Sequence, residues 1–395
     1  MTRLEKIIGK KERTIIGLMS GTSVDSIDAV LVSIRGSGNS TTFKQRAFHS
    51  YHYPKGYKDF VLRNSIAGAG SVESISTLNV LVANFFADAV HSLIKKAGIR
   101  TSSVDLIGSH GQTIHHLPVI RTLFGKKIRS TFQIGDPSTI AKLTGIITVG
   151  NFRTGDLALG GQGAPLVPYF DFLAFRSSRY NRAVLNIGGI SNITLLKKNC
   201  LVDNVTALDT GPGNMVIDAL MEHLYGQRYD GNGSVAESGK ILPSVLGKLM
   251  QHQYFKQPIP KSTGRELFGK EFVKKILQLS RGKRKEDVIA TVTELTALTI
   301  FDQFNRFLRK RLNGDKLHEL IISGGGSKNG MIVKSLKKLF SPAGILLSDD
   351  LGVPSESKEA LCFALLANET ISGNPSNVPS VTGASRKTVL GTICV

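Results

Sequence analysis

Two stretches of this chain run strand, glycine loop, strand, and together they constrain the architecture more than any other feature. The first is IIGLMSGTSVDSIDAVLVSI, from Ile15 to Ile34. The second is AVLNIGGISNITLL, from Ala183 to Leu196, and its Gly188 follows Gly21 by 167 residues. Thr14–Met19 and Ala29–Ile34 are rich in Ile, Leu and Val and predict two strands of one hairpin. A P-loop feeds a helix and ends in Lys and Ser or Thr; these loops return into a strand. The first loop still carries small donors, among them Gly21, Thr22 and Ser23, which suit a phosphate. A Cβ there would hold the phosphate away from the backbone N–H groups. The echo of one hairpin by the other predicts two related halves.

The rest of the chain fills in an α/β pattern. Leu78, Leu81, Val82, Phe85, Ala89, Val90 and Leu93 recur at helical spacing within Ser74–Ala97, and Gly98 closes the helix. VDLIGSHGQT reads as a strand ending in polar residues. VTALDTGPGNMVIDALMEHL reads as strand, turn and helix, and ELIISGGGSKNGMIVKSLKKLF as strand, three glycines and an amphipathic helix. TVLGTICV predicts a last strand that returns to the first half. The expected domains are residues 1–150 with 377–395, and residues 151–376.

Charge and cysteine usage exclude other classes. The 50 basic and 30 acidic residues leave a net charge of +20, but the cations are scattered. The densest cluster, RGKRKED from Arg281, has no interleaved aromatic stripe, so no nucleic-acid partner is expected. A basic surface also attracts small anionic substrates. Cys200, Cys362 and Cys394 lie too far apart to predict a disulfide framework or a metal site. No run of about 18 apolar residues predicts a membrane span, and the N-terminus lacks a leader's apolar core. A cytoplasmic protein without a membrane partner is the expectation.

Nine motifs then occur in order: GLMSGTSVDSID, GSHGQTIHHLP, FQIGDPSTIAKLTGI, NFRTGDLALGGQGAPLVP, NIGGISN, LDTGPGNMVIDA, KSTGREL, SGGGSKN and GVPSESKEALCFA. In them the chain closely resembles the 1,6-anhydro-N-acetylmuramate kinases of peptidoglycan recycling. The resemblance implies a two-domain actin-like (ribonuclease H-like) sugar-kinase fold with duplicated mixed sheets and an interdomain cleft. It also implies ATP and Mg²⁺, an amino-sugar substrate and a homodimer. Water would open the 1,6-anhydro bridge while O6 accepts the γ-phosphoryl group, giving N-acetylmuramate 6-phosphate. Two positions depart from the family: Ser26 stands where Gly is common, and Asn151 where Asp is usual.

Within that resemblance the loop Gly21, Thr22, Ser23, Val24, Asp25, Ser26, Ile27 and Asp28 is expected on the ATP phosphates, with Gly188 and Gly189 opposite. Asp25 and Asp28 offer oxygen ligands to Mg²⁺. Gly324, Gly325, Gly326 and Asn329 are expected at the adenosine, where side chains would collide with a flat base. Asp209 is the expected base. It ends a predicted strand, where open α/β sheets place ligands, and it matches the family's catalytic aspartate. Asp156, among glycines, is the competing base or a sugar contact. His110, Gln112, Gly213, Asn214 and Glu359 are expected on the sugar, Glu359 on the water as well, as the resemblance implies, and either Arg153 or Arg265 on its lactyl carboxylate. Rival readings are a kinase for another amino sugar, which a substrate panel would reveal, and a nucleotide-gated binding protein, which would not need Asp209.

Overall fold

The computed structural model describes residues 2–21, 23–66 and 68–395. The chain divides into two compact units, residues 1–173 with 357–395, and residues 174–356.

The first unit holds β1 (Glu12–Ser20), β2 (Ser26–Arg35), β3 (Thr42–His52), β4 (Leu106–Leu123), β5 (Lys126–Ile134), β6 (Thr148–Gly150) and the last strand, β12 (Thr392–Cys394). They form one sheet in the order β12-β6-β4-β1-β2-β3, with β5 on β4. β1 and β2 are antiparallel, with Ile16 opposite Leu31, and β1 runs parallel to β4. β1 and β2 are apolar on both faces because both faces are covered. On one side the helix Val72–Ala97 packs Leu78, Val82, Phe86 and Val90 against Ile16, Leu18, Ala29 and Leu31. The Ser71 hydroxyl accepts from the Ser74 N–H at its start, and Gly98 ends it in a left-handed turn at φ 65°. This helix is long and apolar enough by composition to cross a membrane, and half of its apolar span is buried within the protein.

On the other side lies the helix Lys358–Ile371. Its backbone comes so close that a Cβ on Gly17 would sit 1.9 Å from the Ala360 carbonyl, and one on Gly108 would sit 2.1 Å from that of Phe363. Only glycine on β1 and β4 permits that approach. The contact draws residues 357–376 into the first unit, and residues 151–173 stay with it as well. The division therefore falls later than the expected break near Gly150. It also places Glu359 in the first unit, with His110 and Arg153, instead of with Asp209.

The second unit holds β7 (Arg182–Ile187), β8 (Ile190–Leu196), β9 (Thr206–Pro212), β10 (Glu319–Ser323) and β11 (Gly344–Leu347), in the order β11-β10-β7-β8-β9. β7, β8 and β9 are successively antiparallel, whereas β7, β10 and β11 are parallel. The order β3-β2-β1-β4-β6 of the first unit is thus repeated strand for strand. The helix Lys285–Gln303 is buried on most of its surface and contributes Val288, Ile289, Val292, Leu295 and Ile300 to the core.

Candidate active site

In the first unit, the β1–β2 turn is braced from β4. Gln112 is wholly buried; its Oε1 accepts from Ser20 Oγ at 2.6 Å and its Nε2 donates to the Gly21 carbonyl at 3.2 Å. Tyr53 donates to the same Ser20 hydroxyl at 3.0 Å. Gln112 therefore supports the glycine loop, and its expected sugar contact is corrected accordingly. Nothing packs closely against a Cβ built on Gly21, so protein packing alone does not demand glycine there.

The loop residues separate by role. Thr22 lies outside the described residues. Ser23 is exposed. The Val24 and Ile27 side chains are buried in the apolar core, so only their backbone could face a phosphate. Val24 also has φ 55°, an unusual conformation for a β-branched residue. Asp25 is exposed and pairs with Lys58 at 2.8 Å. Asp28 faces inward instead, where Ser50 Oγ donates to it at 2.6 Å and Ser26 Oγ at 3.4 Å. The two carboxylates thus diverge. Among the described residues, no group of three or more His, Cys, Asp or Glu side chains could hold a metal ion.

At the end of β4, His110 is committed to the protein. Its Nε2 accepts from two Arg153 nitrogens, at 3.2 and 2.8 Å, and Nδ1 faces the Gly111 carbonyl at 3.0 Å. The guanidinium can only donate, so Nε2 is the acceptor and Nδ1 carries the proton. Burial, with the Arg153 charge beside it, holds this imidazole neutral, well below the usual histidine range. The ring packs on Phe363 at 4.5 Å between centroids. His110 therefore positions Arg153, and the expected direct sugar contact gives way to that role. Arg153 is itself pushed down to about 10 by burial, which the negative Glu359 partly opposes. Burial raises the Glu359 carboxyl and Asp28 adds to the rise, while Lys358 and Arg153 oppose it. Asn151, two residues before Arg153, has φ 56°, a region that asparagine tolerates better than most residues.

Asp156 is neither a base nor a ligand-facing residue. It is wholly buried, with Oδ1 accepting from Thr382 Oγ1 at 2.7 Å and Asn377 Nδ2 at 3.0 Å, and Oδ2 accepting from the Gly163 N–H at 2.9 Å. It ties the glycine loop 160–163 to the C-terminal segment.

In the second unit, the β7–β8 turn is tied to the turn after Asp209. The Gly213 and Asn214 N–H groups donate to the carbonyls of Gly189 and Gly188 at 2.9 and 2.8 Å. A Cβ on Gly213 would meet the Gly188 carbonyl at 2.3 Å, whereas Cβ atoms on Gly188 and Gly189 would find ordinary space. Gly213 is thus required by the fold, and Gly188 and Gly189 are not.

The third glycine motif follows a different logic from the one expected. Cβ atoms on Gly324 and Gly326 would strike Asn186 and Ile187 of β7, at 2.7 and 2.3 Å. Protein packing, without any base, accounts for both. Asn214 Oδ1 also borders Gly326, at 2.9 Å from such a Cβ. Gly325 is exposed. Asn329 caps the helix Gly330–Phe340, accepting from the Met331 and Ile332 N–H groups, so its side chain is structural. Beside this motif opens a cavity of about 870 Å³, lined in part by Ser327, Lys328, Lys334, Asp349 and Asp350.

Asp209 lies in the middle of β9 and not at a strand end as expected, because the strand continues to Pro212. The Thr263 N–H donates to its Oδ2 at 2.9 Å, and the Tyr254 hydroxyl donates to its carbonyl at 2.8 Å. Burial raises the carboxyl to about 7 and Glu266 adds to the rise, against the Thr263 N–H and Lys261. A carboxylate poised there suits proton abstraction at neutral pH. Arg265 is exposed. Sequence reasoning missed Tyr254 and the supporting roles of Thr263 and Lys261. The motif KSTGREL was the available signal, since it marks a conspicuous loop without a partner in the sequence.

A family model described as anhydro-N-acetylmuramic acid kinase matches residues 13–395. The chain belongs to the anhydro-N-acetylmuramic acid kinase family. Relatives so named are 43% identical: one from Salinibacter ruber, covering 98% of this chain and 97% of the relative, and one from Caldanaerobacter subterraneus subsp. tengcongensis, covering all of both. A third, from Clostridioides difficile, is 43% identical over 96% of this chain and 97% of its own length. As a member of this kinase family the chain is an enzyme.

Proposed function

We propose that this kinase opens the 1,6-anhydro ring of anhydro-N-acetylmuramic acid with water and phosphorylates O6 from ATP, in peptidoglycan recycling. The observation that carries the mechanism is Asp209, a carboxylate within β9 raised to about 7 and gripped at one oxygen by the Thr263 N–H. Asp209 accepts a proton as water attacks the anomeric carbon. The C1–O6 bond breaks and its electron pair goes to O6. O6 attacks the γ-phosphorus, and the bond to the β,γ-bridging oxygen breaks with its electrons leaving on ADP. The second water hydrogen remains on the new anomeric hydroxyl, and Asp209 releases its proton to solvent.

Gly21, Gly188 and Gly189 would approach the phosphates, which fits the lack of any close protein neighbour that demands glycine there. The 870 Å³ cavity lined by Ser327 and Lys328 of the third glycine motif is the proposed adenosine site. Arg153, aimed by His110, would take the lactyl carboxylate, and Glu359 would accept from a sugar hydroxyl. Of the two carboxylates expected to hold Mg²⁺, Asp28 fits, because it faces inward near Glu359, and Asp25 does not, because it pairs with Lys58 in the open. Mg²⁺ bound there would neutralise phosphate charge. The working form is inferred to be a cytoplasmic homodimer using small molecules only, without nucleic acid or membrane, as the family resemblance implies.

The test is mass spectrometry of the product formed from anhydro-N-acetylmuramate and ATP in H₂¹⁸O. Label at the anomeric carbon with phosphate on O6 is expected. Unlabelled product, or phosphate elsewhere, would overturn the coupled mechanism.

A further inference from the structure

Lys261 is a buried cation held without a carboxylate. It is 8% exposed, and among the described residues its ammonium donates only to neutral oxygens, the Tyr254 carbonyl at 3.0 Å and Gln303 Oε1. Two ring faces flank it, centred 4.5 Å away on Tyr254 and 4.8 Å away on Phe307. Asp302, the carboxylate that most favours its charge, pairs with Arg306 at 2.7 Å instead. Burying an ammonium on those terms is costly, and methionine would fill an aromatic slot without that cost. The fold nevertheless builds the slot. The helix Lys285–Gln303 runs into a π turn, Phe304–Leu308, a feature frequent at functional sites. Gln303 just before the turn and Phe307 within it both reach Lys261. The segment that this cation ties down bears on Asp209 twice. Tyr254, whose carbonyl Lys261 binds, donates its hydroxyl to the Asp209 carbonyl at 2.8 Å, and two residues after Lys261 the Thr263 N–H donates to Asp209 Oδ2 at 2.9 Å.

We propose that Lys261 is a positioning residue for the base: its buried ammonium clamps residues 254–263 onto β9, so that the Thr263 N–H stays on Asp209 Oδ2, and it contributes a positive charge toward that carboxylate. The inference rests on the reading of Asp209 as base. A donated N–H and an opposite charge both favour the ionised carboxylate, so without the clamp Asp209 would keep its proton to higher pH. The other charged groups are accounted for. Glu266 acts on Asp209 in the opposite sense. Burial pulls the Lys261 ammonium down to about 8, with Asp302 opposing, Arg306 adding and Asp209 opposing, so it is charged across the range in which Asp209 ionises. Burial, Asp209 and Glu266 all raise the Tyr254 phenol, which stays neutral there. Lys261 touches neither substrate nor water and acts only through Asp209.

The experiment compares Lys261→Met and Asp209→Asn with the parent in the full-length enzyme, reading kcat from pH 5 to pH 9, both KM values and Tm. Lys261→Met should move the rise of kcat near pH 7 upward by about half to one pH unit. At pH 6 that reads as a kcat about 3- to 10-fold lower relative to the variant's own plateau. Both KM values should stay within about twofold. A rise left at the parent's pH, whether kcat is unchanged or lowered equally at every pH, would give Lys261 a merely structural part and overturn the proposal; with a dead Asp209→Asn the base assignment would still stand. A near-normal kcat in Asp209→Asn would overturn the base assignment and this inference with it. If Lys261→Met does not fold, Lys261→Gln replaces it. Its amide is neutral and too short to reach both acceptors, so the same upward shift is expected and an unmoved rise overturns the proposal.

Discussion

Two nitrogens of Arg153 converge on one nitrogen of His110, Nε2, at 3.2 and 2.8 Å. With Nδ1 turned to the Gly111 carbonyl, the imidazole has no hydrogen-bonding capacity left for a ligand. Its effect on the reaction must therefore pass through the guanidinium.

His110→Phe keeps a ring against Phe363 and removes the acceptor. The expected result is a KM for the anhydro sugar raised about 10-fold or more, the scale of losing a hydrogen bond to a charged group, with kcat and the KM for ATP nearly unchanged. Steady-state kinetics with each substrate varied in turn would check this. A collapse of kcat at constant KM would place His110 in the chemistry instead.

Gln112→Leu should have the complementary signature. The variant keeps the volume but frees Ser20 Oγ and the Gly21 carbonyl, which Gln112 now holds. The KM for ATP is expected to rise several-fold while the sugar KM stays put. Equal rises in both would mean that Gln112 supports the unit as a whole.

The hairpins were legible because strand, small-residue loop and strand are local patterns, and the apolar runs are continuous where helices cover both faces. The long helix was legible to within two residues of its start, since its apolar residues recur at helical spacing and Gly98 is a local stop signal. The roles of individual polar residues were not. His110 and Gln112 are neighbours on one strand, yet one is spent on Arg153 and the other on Ser20 and Gly21, partners about 40 and 90 residues away in sequence. Gly326 looked like room for a base, but its constraint is Ile187 on another strand. The domain break was misplaced for a similar reason: Gly17 and Gly108 admit a helix that lies some 250 residues further along or more, and nothing local announces it.

Asp156→Asn should damage stability rather than chemistry. Both carboxylate oxygens accept hydrogen bonds in a wholly buried site, and an amide must turn donors toward at least one of those partners. Leaving such groups unpaired costs about 1–3 kcal/mol, which lowers Tm by on the order of 5 °C. The folded fraction should retain kcat within about threefold. Differential scanning calorimetry paired with kinetics below the transition would decide it, and a dead but fully stable variant would return Asp156 to the list of catalytic candidates.

Asp209 should make activity and stability respond to pH in opposite directions. The base works as a carboxylate, so kcat should climb as pH rises through about 7 and level off above it. The same raised carboxyl binds its proton more tightly in the folded chain than in the unfolded one, where it has an ordinary value near 4. Between those two values the folded state holds more protons than the unfolded state. Its contribution to stability is therefore complete below about pH 4 and is lost as pH rises to about 7. Asp209→Asn cannot titrate, so it should be slower by about 10²–10⁴-fold and yet lose less Tm than the parent enzyme between pH 5 and pH 8. Taking the difference between the two proteins cancels the other titrating groups. If both proteins show the same Tm change across that range, Asp209 is ionised at an ordinary pH in the fold, and any activity limb near 7 belongs to another group.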